Sequence, residues 1–296
     1  MKLYSYPFIA ENLTSIFNYN YTIFTTSIYF DVEVLGFIGA LFIGIVLGIT
    51  GGGGSILTVP ILVYILNYNP IIATAYSLFI VGTTSGFGTI QNFRKGLVVP
   101  KTALQFAIPS VIGVYLTRKF IVPGIPKVVF YFGSLQLSKA TFLMLLFAVV
   151  MFMAAYSMLK TQKEDDIVDF KIKSLVIVCI KLFFVGILIG LIGAGGGFLI
   201  IPALLKFAKL PMKKAIGTSL LIITINSLIG FIGDVQNTVI DWTFLLVFTA
   251  ISVIGIFIGL YIQHYINEKL LKKIFGVFVL IMSIFILYKE LLYKVF

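Results

Sequence analysis

The sequence predicts an all-α polytopic membrane protein: two inverted-topology repeats of about five hydrophobic segments each, with Gly-broken or re-entrant helices. Three observations predict it. First, 60% of the 296 residues are hydrophobic and only 11% are charged, against about a quarter in soluble domains. So few charges cannot cover the surface of a soluble globule this large, and an aromatic content of 15% excludes disorder. Second, the chain reads as a series of about ten apolar segments with short gaps. Third, sliding the chain by 142 residues brings its glycines, prolines and serines into register.

The segments follow in order. Residues 1–33 alternate aromatic and polar side chains (Tyr4, Tyr6, Phe8, Asn12, Tyr19, Tyr21). Glu11 interrupts the apolar stretch, so this reads as an interfacial lead-in rather than a cleavable signal peptide. The first membrane repeat, 34–160, holds Val34–Thr50, Ile56–Asn67, Ile72–Phe93, Thr102–Leu116 and Thr141–Leu159. A solvated linker, 161–173, follows, with Lys163, Glu164, Asp165, Asp166, Asp169, Lys171 and Lys173. The second repeat, 174–296, holds Ser174–Ile192, Phe198–Ala208, Ala215–Ile232, Trp242–Ile262 and Leu270–Tyr288.

The register between the halves is ungapped. FIGIVLGITGGGGSILTVPIL from Phe42 aligns with FVGILIGLIGAGGGFLIIPAL from Phe184. The same shift carries Pro60 onto Pro202, and Ala73, Ser77, Leu78, Ser85, Gly88 and Ile90 onto Ala215, Ser219, Leu220, Ser227, Gly230 and Ile232. Shared hydrophobicity does not explain matched Gly, Pro and Ser positions. Five segments per half send the second half into the membrane from the opposite side. Lysine and arginine then divide 14 to 7 between the two faces, with Arg118, Lys119, Lys127 and Lys139 counted in one loop of the poorer face. The richer face belongs in the cytoplasm, and both termini outside.

A net charge of +11 first suggests a nucleic-acid binder. The positive residues are scattered in pairs between apolar runs and build no basic face, so nucleic acid is excluded as a partner. The single cysteine, Cys179, makes neither an internal disulfide nor a cysteine-based metal site. No cofactor, metal or nucleophile constellation is implied.

The chemistry concentrates at two glycine breaks, Thr50-Gly51-Gly52-Gly53-Gly54-Ser55 and Gly193-Ala194-Gly195-Gly196-Gly197. Each glycine costs a helix about 1 kcal/mol against alanine, so the helix opens there. A short helix restarting after such a break presents free N–H groups and the positive end of its dipole. In a membrane such an end is tolerated only inside protein or on a wet cavity, and it suits an anion. Gly52, Gly53, Gly54 and Ser55, with Gly195, Gly196 and Gly197, are therefore candidate binding residues. The competing reading is close helix packing by small residues, and it is preferred for Gly44, Gly48, Gly186 and Gly190. A phosphate loop would need a Gly-Lys-Ser/Thr ending, which neither break has.

Hydroxyls and amides in the third and eighth segments complete the candidate site: Thr83, Thr84, Thr218, Ser219 and Asn226. They can bind an oxyanion without a fixed charge and so allow release. Their alternative role is helix-to-helix hydrogen bonding. Intramembrane ionisable groups are scarce. Lys181 lies inside the sixth segment, where it could snorkel or meet an anion. Asp234 and Asp241 read as outer-interface residues, and His264 as a helix-end residue.

These residues resemble the sulfite exporter TauE/SafE family. The resemblance rests on GGGGSILTVP and GAGGGFLIIP, on ATAYSLFIVGTTSGFGTIQNFRKG and AIGTSLLIITINSLIGFIGD, and on Ile240-Asp241-Trp242. The first copy departs at Ala75-Tyr76-Ser77, where the family more often has Thr before Ser. The resemblance implies a transporter, an exporter, of small sulfur oxyanions (sulfite, sulfonate, sulfate or thiosulfate) in the cell membrane. An anion channel and an integral-membrane enzyme are the alternatives. The enzyme would need a His, Cys or carboxylate cluster at membrane depth. The oligomeric state is open, a homodimer being one option.

Overall fold

The computed structural model describes residues 34–132, 135–159, 173–235 and 239–294. The interfacial lead-in at 1–33 and the charged linker, Lys173 apart, lie outside the described residues.

The described residues are almost wholly helical. Helix α1, Val34–Thr50, stops at Gly51–Gly52. α2 then runs Gly53–Pro60 and closes in a π-helical turn, Ile61–Ile65. The turn follows Pro60, which has no N–H to keep the α-helical ladder. α3 spans Pro70–Arg94, with Pro70 at its first position and the Asn69 side chain accepting from the Ile71 N–H. α4, Pro100–Leu116, continues through a second π turn, Thr117–Ile121, into the single turn α5, Val122–Gly124. An antiparallel ribbon of β1, Val128–Phe132, and β2, Leu135–Ser138, leads into α6, Lys139–Leu159. The second half holds α7, Lys173–Ile192; α8, Gly197–Phe207; α9, Met212–Val235; α10, Trp242–Tyr265; and α11, Glu268–Lys294. Asp241 caps α10 by accepting from the Phe244 N–H at 3.1 Å.

Six of these helices are long and apolar enough to cross a membrane: Pro70–Arg94, Pro100–Gly124, Lys139–Ser157, Met212–Val235, Trp242–Tyr265 and Lys269–Leu292. α2 with its π turn and α8 are shorter, and α8, at 1.5 Å per residue, is only about 17 Å long. Of the roughly ten apolar segments expected, with short arms after the glycines, six are long helices and the others form the pairs α1–α2 and α7–α8. In the first pair the arms lie back to back. Gly36 sits under Leu66, Gly39 under Ile61, and Gly54 against the Ile43 carbonyl and Leu47.

Three boundaries extend beyond those read from hydropathy. α4 does not end at Leu116, so Arg118 and Lys119 are helical rather than loop residues. α9 runs on through Asp234, and α11 through Glu290. In each case a charge lowered the local hydropathy, while backbone hydrogen bonds continue the helix. The stretch read as a loop between the fourth and fifth segments contains the β1–β2 ribbon.

At the centre α3 packs on α9. Around this pair, α4 packs on α9 and α7, while α10 packs on α3 and α1. α2 touches α3 and α11, α8 touches α9 and α6, and α6 packs along α11. Exchanging each helix for the one 142 residues away maps these contacts onto themselves. The match extends to single glycines. Gly44 lies on the Ser252 carbonyl and Gly186 on the Ser110 carbonyl; Gly88 meets Ile256 and Gly230 meets Val114. A side chain at Gly44 or Gly186 would collide with the facing backbone. The outward faces carry exposed large apolar side chains such as Phe42, Phe184, Val247, Ile258 and Ile281. This is the surface of an integral membrane protein, whose solvent is lipid.

Candidate functional site

The two helix breaks meet. A Cβ built on Gly52 would stand 2.6 Å from the Gly197 carbonyl carbon, so the chains touch backbone to backbone. Both breaks turn through left-handed glycines, Gly51 at φ +71 and Gly193 at φ +70, a conformation that side chains disfavour. The preceding helices end alike, with Gly51 N–H donating to the Leu47 carbonyl at 2.7 Å and Gly193 N–H to the Ile189 carbonyl at 2.8 Å. They resume differently. α2 starts at Gly53, its N–H donating to Thr50 Oγ1 at 2.8 Å. α8 starts at Gly197, two positions later in the repeat, after Gly195 and Gly196 at φ +64 and +74.

The glycines and Ser55 named from the sequence thus divide. Gly52 and Gly197 form the junction, and Gly195 faces Val81, Ile223 and Ser227 at the α3–α9 crossing. Gly53 turns toward Thr50, Val46 and Phe275, Gly54 packs on α1, and Gly196 packs on Ile189. Ser55 donates back to the Gly52 carbonyl at 2.7 Å. Of the polar candidates, Ser219 Oγ donates to the Gly51 carbonyl at 2.8 Å and so ties the first break to α9. Thr218 Oγ1 accepts from the Val99 N–H at 3.1 Å, fixing the turn into α4. Thr83 is half-buried, and Thr84 is fully buried.

Thr84 and Asn226 occupy equivalent repeat positions, and each lies on a central helix. Asn226 exchanges hydrogen bonds with Ser110 on α4, at 2.9 and 3.1 Å. The equivalent of Ser110 is Ser252 on α10. Thr84 Oγ1 and Ser252 Oγ are both buried and have no hydrogen-bond partner, as are Ser77 Oγ and Ser227 Oγ. An unmet buried hydroxyl costs about 1–3 kcal/mol, so four of them around one pair of helices mark an environment with unused donors. Sequence reading missed Ser110 and Ser252. The signal was available, since Ser110 and Gly113 repeat as Ser252 and Gly255.

A charged cluster lies at the start of the second break. Arg118, in the π turn after α4, is 1% exposed. Its Nη1 contacts Asp234 Oδ2 at 3.2 Å and donates to Thr74 Oγ1 at 3.2 Å. Nη2 is turned to Gly193, where any Cβ would collide with it. Hydropathy places Arg118 in a loop and Asp234 at the interface; both are buried, joining α4, α9, α3 and the break before α8. The buried donors therefore include an arginine, which the hydropathy pattern leaves outside the membrane segments. With Arg118 removed from the loop tally, the poorer face carries 7 − 1 = 6 positive residues.

Away from these clusters, Lys181 is exposed, its Nζ 5.6 Å from the Phe207 ring centre. It stands beside an open groove of about 360 Å³ between α4, α7 and α8, lined by Thr102, Gln105, Cys179 and Phe207. His264 is exposed at the end of α10, and its carbonyl accepts from Lys213 at 3.4 Å. Glu290 is buried, accepting from the Tyr64 hydroxyl at 2.8 Å.

Comparison with known proteins adds independent findings. Residues 36–286 match the family model described as sulfite exporter TauE/SafE. A probable membrane transporter protein of Xylella fastidiosa is 30% identical over 255 residues, 84% of this chain and 92% of that one. A probable membrane transporter protein of Bacillus subtilis is 24% identical over 273 residues, covering 86% and 98%. One of Methanocaldococcus jannaschii is 36% identical over 109 residues, 35% of this chain and 41% of that one. No solved structure matches the chain.

Proposed function

The chain belongs to the sulfite exporter TauE/SafE family, and from that premise we propose that it exports small sulfur oxyanions of the sulfite, sulfonate, sulfate or thiosulfate class across the cell membrane. That it is a membrane transporter follows from the family and from relatives named as such. The finer reading has two halves of inverted topology holding the anion between opposed glycine breaks.

The observation that carries it is the junction of Gly52 with Gly197, with the unpartnered Ser227 hydroxyl at Gly195 and further unpartnered hydroxyls at Ser77 and Thr84 on α3 and Ser252 on α10, which packs on α3. Hydroxyls and helix N-termini supply hydrogen-bond donors and positive dipole ends, which favour an anion over a cation. At the junction there is no room even for a Cβ, so this is a closed state. The anion enters as the two hairpins part. Inversion is supported by the contact set that maps onto itself under the 142-residue shift. Each half combines a returning pair of helices, parted at the glycines, with three long ones, an odd number of crossings.

The test is uptake of radiolabelled sulfite, sulfate, thiosulfate and a sulfonate into proteoliposomes, alongside thermal stability with each anion. A ligand stabilises the state it binds. The reading predicts stabilisation and transport by at least one sulfur oxyanion, and none by a neutral sugar or amino acid. Stabilisation by cations or neutral solutes alone would overturn it. Topology is tested separately with Lys127→Cys and Lys269→Cys, exposed positions 142 residues apart, in a Cys179→Ser background. An impermeant thiol reagent should label them from opposite faces; labelling from one face refutes inversion.

A further inference from the structure

We infer that Arg118 is a second oxyanion subsite, at one end of the pathway only, and that Asp234 is its resident internal counter-ion, whose charge holds down its affinity for the transported anion. The inference rests on the anion-transport reading above and adds a place to it.

The argument begins with donor geometry. A guanidinium carries five N–H donors and recognises an oxyanion best through two parallel ones. In Arg118 both partners, Asp234 Oδ2 and Thr74 Oγ1, crowd onto Nη1. Nε and Nη2, which together form a bidentate edge, have no hydrogen-bond partner, although the residue is 1% exposed. A purely structural arginine–carboxylate pair would use that edge. Here it is left without a partner, with Nη2 closed over by the backbone at Gly193, the start of the second break, so an anion reaches it only when that break moves away. A trigonal or tetrahedral sulfur oxyanion offers the two oxygens that edge needs.

Position supports the same conclusion. Thr74 precedes Thr84 by ten residues on α3, on the order of 15 Å along the helix axis, so the cluster lies beyond the central hydroxyls in the direction of the α3 N-terminus. The neighbouring cations are engaged elsewhere: Lys119 Nζ with the Tyr115 hydroxyl at 3.3 Å, and Lys139 Nζ with the Val122 carbonyl. In the other half the equivalents of Arg118, Asp234 and Thr74 are Leu260, Asn92 and Ile216, all buried. Those three positions carry no charge, so the buried chemistry of the two ends differs.

The experiment uses the purified full chain and equilibrium binding of ³⁵S-sulfite and ³⁵S-thiosulfate, with thermal stability as a second readout. Asp234→Asn removes the opposing charge and leaves Arg118 in place. Its affinity should rise by roughly 5- to 150-fold, the usual span of coupling between two linked sites, and the anion should restore stability lost by the substitution. A purely structural pair predicts lost stability that no anion restores. The paired variant Arg118→Leu/Asp234→Asn gives this end the other half's residues and leaves no buried charge unmatched. It should keep binding that depends on Thr84 and Asn226 and lose the Arg118-dependent phase. If wild type binds an oxyanion and neither variant alters that binding, the subsite is refuted while the transport reading stands. If wild type binds none of these anions by either readout, the transport reading fails and the subsite falls with it.

Discussion

The two ends of the molecule are built on one plan and filled differently. At one end Gly51 rests on Ile216, with Leu260 and Asn92 at the flanking repeat positions; Asn92 Nδ2 donates to the Gly88 carbonyl of its own helix at 2.9 Å, while its buried Oδ1 has no partner. At the other end Gly193 rests on Thr74 and Arg118, and Arg118 is paired with Asp234. The central positions diverge in the same way. Asn226 and Ser110 bond to each other, whereas Thr84 and Ser252 have no partner. What recurs is the set of small residues that let backbones touch; what differs is the side-chain chemistry between them. A duplicated fold therefore does not imply a symmetric site.

That comparison can be broken at its strongest shared feature. Gly197→Leu would drive a side chain into the Gly52 backbone, so transport should be abolished in proteoliposomes. Gly44→Leu, on the α1–α10 contact, should instead reduce the amount of folded protein recovered in detergent. Preserved uptake in Gly197→Leu would show that the junction is not part of the pathway.

The next effect sharpens the difference between the ends. Arg118→Met strands a buried carboxylate and should destabilise by about 3–5 kcal/mol, read as a lower midpoint in thermal unfolding. Leu260→Met, the matching change in the other half, should cost less than about 1.5 kcal/mol. Equal losses would mean that the ion pair is dispensable.

Smaller effects are expected at the centre. Asn226→Leu leaves Ser110 bonded only to the Phe106 and Ala107 carbonyls of its own helix and should cost about 0.5–1.5 kcal/mol. Thr84→Val removes a hydroxyl that has no partner and should be close to neutral in stability. It should still reduce the stabilisation given by a sulfur oxyanion. The smallest change is expected for Lys181→Met, which removes a cation–π contact worth about 0.5–1 kcal/mol at an exposed site. Anion-induced stabilisation should be unchanged, because Lys181 faces outward on α7.

Much of this architecture is legible in the sequence, because a membrane helix announces itself by hydropathy and a repeat by its glycines. α1 ends where the apolar run does, at Thr50. Legibility fails where a helix carries charge that its neighbours bury. Thr-Arg-Lys after Leu116 reads as a loop, yet the helix continues as a π turn because Asp234 and Thr74 receive Arg118. Those partners are 116 and 44 residues away (234 − 118 and 118 − 74), and no local pattern links them. The candidate residues are legible one by one, but their division is not. Gly53, Gly54 and Gly196 resemble Gly52 and Gly197 in sequence, and only the packing separates those that meet across the junction from those pressed against their own arms.

The clamps between α1 and α10, at Gly44 and Ser252, and between α4 and α7, at Ser110 and Gly186, also bear on biogenesis. In each clamp the partners come from different halves, and the first joins residues 252 − 44 = 208 positions apart. While the ribosome is still making the second half, α1 is already in the bilayer with its glycine face uncovered. It keeps that face open until α10 is inserted. Neither half is therefore a folding unit, and the nascent chain passes through a long stage in which other membrane segments can occupy the vacant groove.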